Sequence, residues 1–494
     1  MVRNTLTTYL PSALAMLRGL QGCGLRSIKR PPRLVPTMRV EPSCQEPAIR
    51  TGTGQLRSAA VWIAVYLVLV LVPLLVLLVG ERPRPGGFWW DFAMALGYAS
   101  LGMMGLQFAL TARFKRATAP FGIDVIYTFH RYLAIGAFLV LLLHVGILVW
   151  RHPVVAGWPN PAGAPAYMLS GWLALLAFAL LVGSSLWRKT LRLEYDAWRR
   201  VHVVLAVAGV VAALVHVFGS GSYLQDTPAR LLWIGLGAFW LGLAVWVRLA
   251  RPAALLRRPW RVMEVRPEAS HTWTLELEPE QGEPFAYHPG QFAWLTLRAS
   301  PFAMKEHPFS FSSTPTRPGR IAFTIKELGD FTSGIGDIKP GERAFVDGPY
   351  GSFGIDRHPE AAGYVFIAGG VGIAPLMSML RALADRGDTR PKWLFYGNRV
   401  ADRIVFGDEI RSLADRINMQ VVDVLLEPAP DWQGERGFVD AGVLGRYLPG
   451  SLEERQALQY YVCGPTPMIR LAEQGLGTLG VALNRVHSEI FDLA

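Results

Sequence analysis

Hydrophobic residues fall into two regimes along this chain. Before residue 250 they come in long unbroken runs, and after residue 258 in short ones separated by Gly and Pro. Six apolar runs, at about 59–79, 88–110, 123–150, 168–187, 198–218 and 230–249, are each long enough to cross a bilayer core once. Beyond them, period-2 alternation in HTWTLELE (271–278) and QFAWLTLR (291–298) predicts a small antiparallel β domain. From about residue 360 the pattern becomes α/β. YVFIAGG (364–370) reads as a buried strand entering the turn GGVGIAP, and PLMSMLRALADRG as the helix after it. Further strands are predicted at WLFYGNR (393–399), MQVVDVLLE (419–427) and QYYVCGP (459–465), with a helix after the first and the last. Strands alternating with helices imply a parallel sheet with a nucleotide at its carboxyl ends. The domains expected are an arm at 1–56, a six-helix transmembrane bundle at 57–256, the β domain at 257–356 and the α/β domain at 357–494.

Charge sets the orientation. The net charge of +11 would suit nucleic acid, but the Arg clusters flank the apolar runs, so the positive-inside rule accounts for them. RFKR (113–116), WRKTLR (187–192) with WRR (198–200), and RLARPAALLRRPWR (248–261) lie on one side. The alternate loops are poorer in Lys and Arg, which puts both termini in the cytoplasm, at the inner membrane if the cell is bacterial. Residues 1–56 hold YLPSALAML, too short and interrupted to span, and no signal-peptide cleavage pattern. They read as a largely disordered cytoplasmic arm, or as the product of a start codon assigned too early.

Two of the apolar runs carry histidine pairs: His130 with His144, and His202 with His216, each 14 residues apart. In a helix that spacing turns by about −40° and rises about 21 Å, so each helix shows two imidazoles on nearly one face, near opposite sides of the bilayer. Ionisable groups in such helices are rare and usually functional. Two facing helices of this kind can hold two stacked haems, each iron taking one imidazole from either helix. Parallel directions pair His130 with His202 at the inner level and His144 with His216 at the outer. Arg131, Arg199 and Arg200, at the inner level, are placed for haem propionates or for lipid phosphates. Three cysteines, Cys23, Cys44 and Cys463, are too few for a four-Cys cluster, and no C-x-x-C-H is present, so any haem here would be the non-covalent b type.

The soluble part contains HPGQF (His288, Pro289, Gly290, Gln291), HPFSFSS (307–313), GDFTS (329–333), VDGPYGSFG (346–354), GGVGIAP, CGPTPM and a terminal E-I-F. Gly369, Gly370 and Gly372 sit between a strand and a helix with Pro375 in its first turn, an arrangement that lets a backbone and a helix N-terminus approach a pyrophosphate. In combination with the histidine pairs, the chain after residue 56 resembles the ferric reductase and NADPH oxidase family of transmembrane electron-transfer proteins. Its C-terminal half resembles the ferredoxin–NADP reductase superfamily.

The resemblance implies an antiparallel β-barrel that binds FAD and an α/β domain that binds NADPH or NADH. It assigns His307, Pro308, Phe309, Ser310, Phe311 and Ser312 to the flavin motif, with Ser310 hydrogen-bonded near the flavin N5. Many soluble relatives have Arg where His307 stands. Lys326, Gly329, Thr332 and Ser333 match the segment that holds the FAD pyrophosphate, and the HPGQF residues join the cofactor site. Cys463, Gly464 and Pro465 would lie beside the nicotinamide, Phe491 would cover the flavin until nicotinamide displaces it, and Glu489 would join that site. Arg399 stands where a 2′-phosphate or ribose would be met, or is a surface residue, so the choice of NADPH or NADH stays open. The expected activity is electron transfer from cytoplasmic NAD(P)H through FAD and two b haems to an external small-molecule acceptor, a ferric complex or dioxygen. No nucleic acid and no obligatory protein partner are expected beyond membrane lipid. The alternatives are a donor to quinone or to a periplasmic partner, and a non-catalytic membrane protein with a vestigial reductase domain.

Overall fold

The computed structural model describes residues 87–114, 123–156, 163–221, 223–282, 284–317 and 319–490, together with 61, 64–71, 73–75 and 160. Among the described residues five apolar helices reach spanning length. They are α1 (Phe88–Thr111), α2 (Ile123–Arg151), α3 (Ala166–Leu186), α4 (Tyr195–Ser220) and α5 (Thr227–Val245). The sequence predicts six. The first run, 59–79, lies partly outside the described residues, and within it a shorter apolar helix, Ala64–Leu75, is present. The arm at 1–56 lies wholly outside them. The last span is longer than predicted: α5 continues through a π turn, Trp246–Ala250, into α6 (Arg251–Leu256). Such turns mark functional positions more often than chance.

Local chemistry fixes the helix ends. The Glu194 carboxylate accepts the N–H groups of Asp196 and Ala197, starting α4, and Gly221 at φ +62° ends it in the left-handed region. α1 packs along α2, and α3 along α4, as two antiparallel hairpins. Leu139, Leu143, Leu173, Leu176, Leu180 and Val204 point outward, as lipid-facing side chains must.

The β domain contains β1 (Trp260–Glu268), β2 (Thr272–Pro279), β3 (Phe292–Leu297), β4 (His307–Ser310), β5 (Ile321–Lys326) and β6 (Arg343–Tyr350). They form one antiparallel sheet in the order β4-β3-β6-β1-β2-β5, and a bridge between Phe311 and Phe323 joins its two ends. In β2 Leu275 and Leu277 enter the core on either side of the less buried Glu276, whereas in β3 all six residues are buried. Ala293, Leu295 and Leu297 enter the domain core, while Phe292 and Trp294 pack with Tyr350 against Tyr127 of α2. One face of this sheet is thus covered by the membrane helices.

The α/β domain follows as β7 (Gly363–Gly369), α7 (Ile373–Asp385), β8 (Lys392–Asn398), α8 (Gly407–Arg416), β9 (Met419–Leu425), β10 (Glu435–Arg436), α9 (Ala441–Tyr447), α10 (Leu452–Ala457), β11 (Leu458–Gly464), α11 (Thr466–Thr478) and β12 (Val486–Ile490). The sheet is parallel throughout, in the order β10-β9-β8-β7-β11-β12. Strand order reverses between β7 and β11, so the crevice for a ligand opens at their carboxyl ends. α7 ties the two soluble domains together: Ser378 donates to the Ser313 carbonyl at 2.6 Å and Arg381 to the Ser312 carbonyl at 2.5 Å.

His487 on β12 stacks between His358 (4.6 Å) and Tyr461 (5.1 Å), and its Nε2 donates to Gln459. Burial, reinforced by His358, Arg357 and Arg485, pushes this imidazole down to about 4. Its folded value is depressed, so its stabilising contribution is full above the ordinary ~6.5 and fades as pH falls toward 4. Thermal melts of the full chain followed by tryptophan fluorescence should show a loss over that window that His487→Gln reduces. An unchanged pH slope in the variant would contradict the assignment.

Candidate functional site

The four membrane histidines occupy two levels. His130 and His202 face each other with ring centroids 6.5 Å apart. His144 and His216 line an apolar cavity between the two hairpins, partly open to the surroundings. His144 Nδ1 lies 2.7 Å from the Ala93 carbonyl and His216 Nδ1 lies 2.9 Å from the Tyr167 carbonyl. A carbonyl only accepts, so both rings carry their proton on Nδ1 and keep the Nε2 lone pair for another partner. This donor set, beside an apolar cavity, fits a bis-imidazole haem. At the first level His130 Nδ1 has no hydrogen-bond partner among the described residues, and His202 Nδ1 meets only the Ser185 hydroxyl, at 3.3 Å.

The first pair is next to the β domain, and an ionic cluster binds the two parts. Glu306, immediately before the flavin motif, pairs with Arg199 of α4 and with Arg113 after α1 (3.1 Å). Asp347 of β6 pairs with Arg251 of α6 (2.9 Å) and Arg113 (3.6 Å). The Arg113 guanidinium also stacks 3.6 Å over the Trp294 ring. Burial pushes the Glu306 carboxyl up, but Arg199 and Arg113 outweigh it and hold the group below the ordinary carboxylate range. Arg199, which the sequence reading places for a propionate or a lipid phosphate, gives guanidinium N–H groups to Glu306 and to the Met304 carbonyl. Arg131 and Arg200 are exposed. Sequence reasoning passed over Glu306, Asp347, Arg113, Arg251 and Trp294. The signal was an acid directly before HPFS and another inside VDGPYG, opposite helix ends rich in arginine.

Aromatic rings continue from this cluster to the flavin motif. His307 lies 6.4 Å from Tyr195, Tyr195 5.8 Å from Trp198, and Trp198 5.0 Å from His202. Burial holds His307 below its ordinary imidazole value, and its Nε2 has no hydrogen-bond partner among the described residues. Phe331 of the GDFTS loop stacks on it at 4.0 Å and lies parallel to Phe309. In that loop Thr332 caps its own turn, accepting from Leu328 and Gly329, and Ser333 donates to Asp330. Lys326 makes no ion pair among the described residues, and burial together with the nearby Arg403 lowers its ammonium value, so an anion there would meet two cations. That fits a phosphate.

Ser310 donates to Glu489 at 3.3 Å, and Glu489 stands beside Cys463 in the β11–β12 register. Ser310, Cys463 and Glu489 thus come together across the two soluble domains. Phe491 lies outside the described residues. Phe311 and Ser312 turn inward: Phe311 packs on Tyr287 and Phe323, and Ser312 accepts from Thr324. Pro308 is partly buried in β4. In HPGQF, Gln291 ties the His288 N–H to the Gly351 carbonyl, His288 meets Asp356, and Gly290 at φ +91° passes against the Phe353 carbonyl, with Pro289 against Gly354. Gly329 has open space where a Cβ would stand.

At the switch point two glycine turns meet. A Cβ on Gly372 would lie 2.3 Å from the Cys463 carbonyl oxygen, and one on Gly369 would lie 2.9 Å from Pro465. Gly464 approaches the Gly369 backbone to 3.0 Å by the same measure. A Cβ on Gly370, at φ +52°, would meet nothing within 4 Å. Pro375 sits buried in the first turn of α7. Arg399 is exposed and paired with Glu427 at 2.9 Å, so a 2′-phosphate would have to compete with that carboxylate.

Three family models match in chain order: a ferric reductase like transmembrane component at 96–213, an FAD-binding domain at 260–353 and an oxidoreductase NAD-binding domain at 366–474. Ferredoxin–NADP reductase B of Sorangium cellulosum is 33% identical over 47% of this chain and 96% of its own length. This chain belongs to the ferric reductase and NADPH oxidase-like family, with a ferredoxin–NADP reductase-like C-terminal half. It is an NAD(P)H- and FAD-dependent electron-transfer oxidoreductase with a multi-pass membrane part. The stachydrine N-demethylase reductase subunit Stc4 of Rhizobium meliloti is 32% identical over 46% of this chain, which spans 64% of that relative. A solved structure, ferredoxin reductase in carbazole 1,9a-dioxygenase, covers 47% of this chain and 69% of its own at 26% identity and a TM-score of 0.42.

Proposed function

We propose that this protein takes electrons from cytoplasmic NAD(P)H at its soluble domains and delivers them across the membrane to a ferric complex or dioxygen. The route is a pair of b-type haems held by His130 with His202 and by His144 with His216. The observation that carries this reading is the placement of two imidazole pairs at two levels of the helices, the nearer one joined by Trp198 and Tyr195 to the flavin motif. When bound, FAD supplies the change from two-electron to one-electron transfer and haem supplies one-electron carriage.

The chain's own groups bind, orient and insulate. The Ser310 hydroxyl, held by Glu489, is placed to hydrogen-bond the flavin, and Glu489 holds or accepts a proton there. Cys463, wholly buried, shapes the floor on which nicotinamide would lie. Lys326 with Arg403 offers charge to a pyrophosphate. Neutral His307, stacked by Phe331, closes the side of the motif toward the helices. Glu306 and Asp347 keep the whole β domain seated on α1, α4 and α6.

Purified full-length protein should carry FAD and two b haems per chain by pyridine haemochrome titration, and NADPH or NADH should reduce both haems. Rates with ferric citrate, dioxygen and a soluble quinone then identify the acceptor. His144→Ala should remove one haem and stop transfer to an acceptor trapped inside sealed vesicles, with flavin reduction unaffected. Protein that binds FAD but no haem would overturn the reading.

A further inference from the structure

The two histidines farther from the β domain share one local arrangement, built twice. On the first hairpin His144 of α2 donates to the Ala93 carbonyl of α1, and four residues on stands Gly97. On the second hairpin His216 of α4 donates to the Tyr167 carbonyl of α3, and four residues on stands Gly171. A Cβ at Gly97 would lie 2.8 Å from Cε1 and 2.9 Å from Nδ1 of His144. A Cβ at Gly171 would lie 2.8 Å from Nδ1 and 3.0 Å from Cγ of His216. These distances are too short for any side chain, so each ring lies flush on its neighbour helix because a glycine leaves the space. One turn of helix separates acceptor and glycine, which puts both on the face that meets the ring.

The pair nearer the β domain has neither feature. His130 Nδ1 has no partner among the described residues, and His202 meets only a hydroxyl at 3.3 Å. Its surroundings are cationic as well: Arg113, Arg199 and Arg251 outnumber Glu306 and Asp347, and Arg248 of the π turn acts on His202.

We infer that Gly97 and Gly171 are positioning residues that fix the tautomer and orientation of the far pair and make it the more electron-donating of the two ligand sets. An imidazole whose Nδ1–H is given to a carbonyl is a stronger base at Nε2, and that favours the oxidised form of a bound metal. Nearby cations favour the reduced form. The two haem sites are therefore unequal, with the lower potential at His144 and His216. This rests on the two-haem reading above.

The test uses the full-length holoprotein. Pyridine haemochrome counts, low-temperature EPR of the ferric protein and a potentiometric titration are compared for wild type, Gly97→Ala, Gly171→Ala and the control Gly102→Ala, whose Cβ would meet nothing within 4 Å. Each test variant should keep FAD and the higher-potential component while losing the lower one or shifting it upward, and Gly102→Ala should match wild type. Should an alanine variant fail to retain FAD, incorporation of Nδ-methylhistidine at position 144 decides. It keeps Nε2 but cannot donate, and should raise only the lower component. Two unchanged components in these variants, or a change confined to the higher one, would overturn the inference. Wild type without haem would instead remove the reading beneath it.

Discussion

Glu306→Lys should slow electron delivery from the soluble domains to the membrane histidines by at least tenfold while leaving NAD(P)H oxidation by a soluble dye within about twofold. Glu306 accepts from Arg199 and pairs with Arg113, and all three side chains are nearly buried. Removing one partner of a buried pair costs about 3–5 kcal/mol because the remaining charge is left without compensation. Lysine goes further and adds a cation where guanidinium groups already converge. The β domain stays tethered through α6, so the loss is one of seating and not of attachment. The site proposed for hydride transfer rests on the contact of Ser310 with Glu489, in which Glu306, Arg199 and Arg113 take no part, which is why the dye reaction should survive. Stopped-flow absorbance separates the two steps. Glu306→Gln should be milder, and Glu306→Arg with Arg199→Glu should recover part of the rate. The pH dependence follows from the depressed carboxyl: the contact is at full strength above the ordinary ~4.3 and is lost as pH falls through the lower folded value. Parallel loss of dye reduction and haem reduction would mean that Glu306 acts on the flavin itself.

That cluster also marks where sequence reading stops. The histidine spacing, the apolar runs and the β/α alternation are periodic signals, and the spacing, five of the six runs and the alternation appear among the described residues because burial in one element decides each. The cluster has no such signal. Arg113 reads as a topology marker, Arg199 as a lipid or propionate contact, Asp347 as one letter of VDGPYGSFG and Glu306 as the neighbour of a motif. Only the seating of the β domain gives them to one another. β3 forms where the alternation of QFAWLTLR predicts a strand, but the alternation does not show that its second face is covered as well, by Tyr127 and Arg113. The short helices α9 and α10, at Ala441–Tyr447 and Leu452–Ala457, are too brief to develop an apolar stripe. In GDFTS the hydroxyl residues invite a phosphate role, yet Thr332 and Ser333 satisfy their own turn, and the residue that reaches the flavin motif is Phe331.

The glycine turn at the switch point gives the second large effect, and it divides what the sequence presents as one motif. Gly372→Ala should destabilise the α/β domain by about 3 kcal/mol or more, whereas Gly370→Ala should cost only about 1–2 kcal/mol. At Gly372 the new methyl would meet the carbonyl oxygen and carbon of Cys463 and the Cα of Gly464, all backbone, at 2.3, 2.6 and 2.8 Å. Backbone cannot rotate aside, so β11 must move away from the turn, and with it the register that sets Cys463 beside Glu489. At Gly370 the methyl would enter open space, and the cost is that of holding alanine at φ +52°. The functional consequences are opposite. Gly370 presents its backbone to the crevice at the carboxyl end of β7, where the Tyr396 hydroxyl holds its carbonyl at 3.1 Å, so its substitution should weaken nicotinamide binding while thermal stability changes little. Gly372 faces inward, so its substitution should lower the melting temperature first and cofactor affinity only as a result. Melting curves and nucleotide titrations on the two full-length variants resolve this. If Gly372→Ala melts like wild type but binds nicotinamide poorly, Gly372 faces the cofactor and the two turns are not held by their own packing.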